Sequence, residues 1–140
     1  MKTLIGSIKA RISAETGATA YFVSVPESPS YPYVLLWTSA GSLEQNTLGG
    51  DKDLADRLGV TMVDTTANNV LVLAPRVRAA LVGFTPASDT WAMEWLREPY
   101  DSRPIEYDRD VNIPGRGYPH FGVDMYYLNG TVKPATTPEP

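Results

Sequence analysis

The sequence predicts a single α+β domain, on three observations. Four apolar residues near the N-terminus recur at helical spacing. Six runs rich in β-branched, aromatic and other apolar residues are separated by proline- and glycine-marked links, and an amphipathic stretch of helix length falls between the third and fourth of them. With 140 residues and 43% hydrophobic content, the chain has the commonest size of one compact domain and enough apolar material for one core. The domain is expected to span 1–132. Lys133 to Pro140 holds three prolines and two threonines, so 133–140 is expected to be a disordered C-terminal tail.

Leu4, Ile5, Ile8 and Ile12 lie three and four apart on one face of a helix that should end near Glu15 to Gly17 and rest on a sheet. Tyr21 to Val25 reads as a strand, and Pro26, Pro29 and Pro32 make the link that follows irregular. Tyr33 to Thr38 is more continuously apolar and is expected to be covered on both faces, with Trp37 in the core. The third run is Leu54 to Asp64. Within it, apolar residues from Leu58 to Met62 alternate with Gly59 and Thr61, the pattern of a strand with one face inward, and Val63 breaks that alternation.

Thr65 or Thr66 can cap the next helix, Val70, Leu71, Val77, Ala80 and Leu81 supply its apolar stripe, and Gly83 can end it. Pro75 lacks an N–H and clashes with the preceding turn, which predicts a kink or two short helices divided near Ala74. Trp91 to Leu96, Ile105 to Val111 and His120 to Leu128 are read as the last three strands.

Charge and composition exclude several functions. The net charge is −4 and the 12 basic residues are scattered, so no basic stripe is present to grip duplex DNA, nor are lysines and arginines interleaved with the aromatics for stacking single strands. Without cysteine there is no disulfide framework and no thiolate metal site. Gly6, Ser7, Lys9 and Arg11 interrupt the N-terminal apolar stretch before a signal-peptide core forms, and no run reaches membrane-spanning length, so a soluble cytoplasmic product is expected.

Catalytic constellations are thin, and no catalytic residue, metal site or cofactor is expected. Asp108 and Asp110 would share one face of a strand, and Asp101, Glu106 and Asp124 could add oxygen ligands for a divalent cation. Beside Arg103, Arg109 and Arg116, however, solvated charges and ion pairs between subunits explain them more simply. His120 stands without a second histidine, cysteine or serine to complete a triad or zinc site. Gly49-Gly50-Asp51-Lys52 and Gly115-Arg116-Gly117 lack the Gly-Lys-Ser/Thr ending of a phosphate loop and read as turns. The candidate subunit-interface residues are Tyr100, Arg103, Tyr107, Arg109 and Tyr118, amphipathic rings and guanidinium groups in polar surroundings.

Between the second and third strands lies a long polar stretch, Ala40 to Asp53. It is either a mobile surface hairpin or a partner-binding loop that would bury Leu43 and Leu48 on contact. Its candidate contact residues are Leu43, Gln45, Asn46, Leu48, Asp51 and Lys52.

The succession of Pro32-Tyr33-Val34, a long excursion, Val60-Thr61-Met62-Val63, a helix ending Val77-Arg-Ala-Ala-Leu81, the exit Gly83-Phe-Thr-Pro86 and a closing Asp124-Met-Tyr-Tyr-Leu128 resembles the tail terminator (tail completion, minor tail) proteins of long-tailed bacteriophages, in particular those of actinobacterial phages. The resemblance spans most of Met1 to Val132, and Pro75 departs from it. It implies a largely antiparallel β-sheet flanked by two or so helices in a subunit that forms a homo-hexameric ring. Such a ring caps the tail tube, stops its polymerisation and forms the joint to the head. Implied partners are the major tail tube protein and a neck or head-completion protein, with DNA passing through the lumen without specific binding and no membrane contact. The implied location is the tail-neck junction of the virion, after assembly in the host cytoplasm; a neck adaptor or head-completion (head-tail connector) ring is the alternative.

Overall fold

The computed structural model describes residues 2–39, 43–45 and 52–133. Its helices are α1 (Lys2–Thr16) and α2 (Ala67–Leu81), and its strands are β1 (Thr19–Phe22), β2 (Tyr33–Thr38), β3 (Leu43–Gln45), β4 (Lys52–Asp64), β5 (Trp91–Met93), β6 (Asp101–Tyr107) and β7 (His120–Val132). They build one α+β domain around a single seven-stranded sheet.

The sheet is organised on two 13-residue strands, β4 and β7, paired antiparallel without a break from Leu54↔Gly130 to Asp64↔His120. Each carries two shorter strands on its free side: β2 and β3 on β4, β6 and β5 on β7. β1 extends the sheet beyond β2, with which it pairs in parallel, so β1 and β6 form opposite edges among the described strands. The predicted strand Tyr21 to Val25 ends early. Val23 sits at φ 70, and the Ser24 N–H donates to the Phe22 carbonyl at 2.8 Å, a γ-turn that bends the chain out of the ladder.

Alternation divides the sheet's two faces. Leu54, Leu58, Val60 and Met62 of β4, Tyr126 and Leu128 of β7, and Val34 and Leu36 of β2 point to one face and are buried there with the helices. α1 contributes Leu4, Ile5, Ile8 and Ile12, each worth about 1.5–3 kcal/mol when withdrawn from water. α2 contributes Val70, Leu73, Ala74, Val77, Ala80 and Leu81. Leu71, predicted in this stripe, is 60% exposed: at 3.6 residues per turn it lies away from the line of 70, 73, 74 and 77.

α2 begins after Thr66, whose hydroxyl accepts from the Asn69 N–H at 3.1 Å; its C-cap is Val82, whose N–H donates to the Arg78 carbonyl at 2.8 Å, rather than the expected Gly83, which follows at a φ of +84 that suits a residue without a side chain. Pro75 does not divide the helix. It is exposed, as is Leu71 four residues earlier, so the carbonyl that loses its partner faces solvent. The exit is clamped by Gly83 N–H to the Leu96 carbonyl at 2.7 Å and Leu96 N–H to the Phe84 carbonyl at 2.8 Å.

The opposite face carries Tyr33, Leu35, Val63, Phe121, Val123 and Met125 and is covered by neither helix, so β2 is fully buried on one side only. Trp37 belongs to this face, contrary to the expectation of a core position. It is 38% exposed and lies over Gly59, directly opposite on β4, where a Cβ would come within 1.9 Å of its ring. Gly59 thus leaves the space the indole occupies.

Candidate assembly surfaces

The five residues predicted for a subunit interface gather along the β6 edge. The predicted strand Ile105 to Val111 is displaced: β6 occupies Asp101–Tyr107, and Asp108 to Asp110 form the turn that follows. Pro104 explains part of this. It coincides with a register shift between Arg103 and Glu106, and a residue without an N–H is tolerated on an edge strand at such a bulge.

Tyr100, just before β6, stacks on Tyr127 at 4.3 Å, with the Arg57 guanidinium 6.0 Å from its ring. At the other end Tyr107 stacks on Tyr118 at 5.9 Å, and Arg109 lies 5.2 Å over Tyr107. Arg103 is exposed between the two groups. Planar rings stiffened by guanidinium contacts are the side chains that concentrate binding energy at protein interfaces.

The predicted loop Ala40 to Asp53 is in part regular structure. β3 pairs with the start of β4 from Leu43↔Leu54 to Gln45↔Lys52, continuing along β4 the edge that β2 begins. Between the pairs Thr38↔Leu58 and Leu43↔Leu54 the register along β4 changes by one residue. Asp56, 4% exposed, secures the junction: its Oδ1 accepts the Ser39 N–H at 3.1 Å and the Arg57 N–H at 2.7 Å. Asp53 Oδ1 accepts the Val132 N–H at 2.8 Å from the far side. β3 and the start of β4 form a paired arm, with a groove of 680 Å³ at its base lined by Ser39, Asp53, Asp56, Arg57, Glu94 and Asn129, among others. Of the contact candidates, Leu43, Gln45 and Lys52 fall on the backbone of this arm; Asn46, Leu48 and Asp51 lie outside the described residues.

The acidic residues do not converge. Asp124, one of the possible oxygen ligands, is 1% exposed and already committed: Arg78 of α2 donates to it through Nε at 2.7 Å and Nη2 at 2.9 Å, and Ser102 of β6 through Oγ at 2.7 Å. This fork ties helix, central strand and edge strand together, and the hydrogen bond that Arg78 donates to Asp124 raises the Arg78 pKa further. Nothing in the local sequence signals it, since the partners are 46 and 22 positions apart. Asp108 accepts the Asp110 N–H at 3.0 Å within its own turn, which replaces the predicted shared strand face. Among the described residues no group of three or more His, Asp or Glu is placed to hold a metal ion. His120 lies 6.0 Å from Tyr107, and its Nδ1 is buried with no hydrogen-bond partner among the described residues. Gly115-Arg116-Gly117 forms a turn closed between Ile113 and Gly117.

Lys133, expected in the tail, is held: its N–H donates to the Thr90 carbonyl at 3.0 Å and its Nζ to the Ser88 carbonyl at 2.6 Å. Residues 134–140 lie outside the described residues. No described helix is long and apolar enough to cross a membrane.

No family model and no curated protein matches the chain. Among solved structures it is similar to a chain in the virion of a native gene transfer agent particle. The likeness has a TM-score of 0.59 at 12% identity and covers 93% of this chain and 96% of that one. The TM-score shows a shared fold, to which so low an identity confines the likeness, and the coverage shows that it is shared along nearly the whole of both chains.

Proposed function

We propose that this chain is a structural virion protein of the tail terminator kind, which caps the tail tube of a phage-like particle as a six-membered ring, stops tube polymerisation and forms the joint to the head. The observation that carries this reading is the likeness, end to end, to a chain of a virion particle. The architecture supports it. A sheet with two different open edges suits the head-to-tail contacts of a ring, and the arm of β3 and the start of β4 at one end of the sheet suits a contact with the tube. The net charge of −4 suits a lumen through which DNA slides without being held. Partners in this reading are further copies of the chain, the major tail tube protein and a neck or head-completion protein. The location is the tail-neck junction, and no step is catalytic.

Native mass spectrometry of purified tail tubes mixed with the protein tests the proposal. Six copies of the 15.3 kDa chain, about 92 kDa, are expected at one tube end, a size that needs interfaces of about 1,200–2,000 Å². A stable dimer that never occupies tube ends would overturn it. Binding to DNA-filled heads in place of tubes would assign the chain to the neck adaptor or head-completion ring.

A further inference from the structure

We infer that the corner between α1 and β1 is the socket for a second copy of this chain, and that β6 with the turn after it, Glu106 to Val111, is the part of that copy that enters. The inference rests on the ring reading for its closed repetition, while the contact itself rests on what lies at the two edges.

Three features at the α1–β1 corner are unfavourable in an isolated subunit. Gly6 lies inside α1, where glycine is a poor helix former, yet a Cβ there would meet nothing within 4 Å. Nothing inside the subunit requires a glycine at that position, whereas a backbone approaching from outside would. Val23 is a β-branched residue at φ 70 and is 66% exposed, so the strain of its γ-turn is not offset by burial. Beside it Phe22 is 36% exposed. Between these features runs an open groove of 500 Å³ lined by Lys2, Ile5, Gly6, Lys9 and Phe22, an apolar floor with two ammonium groups at its rim. Neither lysine forms an ion pair among the described residues.

The opposite edge of the sheet has the complementary chemistry. No residue of β6 is fully buried, and Tyr107 and Val111 are 45% and 41% exposed. Three carboxylates, Glu106, Asp108 and Asp110, stand among them and outnumber one guanidinium, Arg109, which is drawn over the Tyr107 ring, so an insert with an excess of negative charge meets an apolar groove flanked by ammonium groups. Socket and insert occupy different edges of one subunit, and each copy that receives one neighbour presents its own β6 to the next.

The test uses the full chain as an equal mixture of ordinary and 15N-labelled protein, joined with a carbodiimide that links amines to carboxylates in contact and read by mass spectrometry. Mixed-isotope links from Lys2 or Lys9 to Glu106, Asp108 or Asp110 are expected. Lys2→Glu with Lys9→Glu, and separately Asp108→Lys with Asp110→Lys, should each weaken association about tenfold or more at low salt, and mixing the two variants should restore it. Gly6→Leu and Val23→Gly should melt no lower than the parent while associating less, which a residue serving only the subunit's own fold would not do. Association that survives both charge reversals and Gly6→Leu would overturn this interface and leave the ring standing. A chain that stays monomeric in solution and shows no mixed-isotope links on tail tubes would overturn it as well, and six-fold occupancy of tube ends by the parent chain judges the ring reading separately.

Discussion

At the scale of single residues, stability hinges on a carboxylate that only long-range packing could pair. Asp124 is 1% exposed while Arg78 keeps 40% of its side chain in solvent, so the two partners are not equivalent. Arg78→Ala leaves a buried carboxylate with Ser102 alone and is expected to cost about 3–5 kcal/mol. Asp124→Ala leaves a guanidinium that can turn to water and should cost less. Urea denaturation of the two variants checks the order, and equal losses would contradict it. Tyr33 supplies a pH dependence. Burial, reinforced by Tyr31, Asp108 and Tyr21, pushes its hydroxyl up to about 12 from the ordinary 10. The folded state then holds a proton that the unfolded state releases. Its contribution is complete below pH 10 and is lost as pH rises toward 12. Thermal melts across that window should decline less steeply for Tyr33→Phe than for the parent.

At the scale of elements, α2 shows how much local preference tertiary packing can override. Pro75 stands in its middle, yet the helix runs unbroken from Ala67 to Leu81 because six of its side chains are buried on the sheet and α1. The helix therefore carries a defect that can be repaired. Pro75→Ala restores an N–H beneath the exposed Leu71 carbonyl, opens no cavity at an exposed site, and should raise stability by about 2 kcal/mol in a denaturant titration. No gain would mean that the backbone around Pro75 is held in place by contacts other than its own hydrogen bonds. The same comparison explains β6. Its pattern of charges and a proline is a poor strand signal, and it is a strand because β7 offers a free edge and the bulge at Arg103 to Glu106 accommodates Pro104.

At the scale of the whole molecule, the long antiparallel pair of β4 and β7 carries β3 at one end, paired to the start of β4. Because Gln45 and Lys52 already pair, the segment to remove is 46–51 rather than the paired arm. Replacing it with a two-residue Asn-Gly turn should leave the melting temperature within about 2 °C of the parent, since β3, Asp56 and Asp53 keep their partners. Under the proposed function, tail length control should fail in particles carrying the replacement. Tails of normal length would move the tube contact to α1 or to the closing strands.

What the sequence by itself determined was everything that repeats over a few residues. The buried face of α1 follows from Leu4, Ile5, Ile8 and Ile12, the core positions of β4 from the alternation around Gly59 and Thr61, and the start of α2 from the pair Thr65 and Thr66, of which the fold uses Thr66. In each case the side chain's own geometry reports the element. The tertiary structure alone decided which strand found which edge. It turned part of a polar loop into β3, moved β6 four residues toward the N-terminus of its predicted start, set Trp37 on the open face over Gly59, and gave Asp124 to Arg78 and Ser102. These outcomes depend on contacts between residues from a few to dozens of positions apart. A strand with few apolar residues is stable only when its neighbour is already in place, and a buried charge only when its partner arrives from another element; neither condition leaves a periodic trace in the chain.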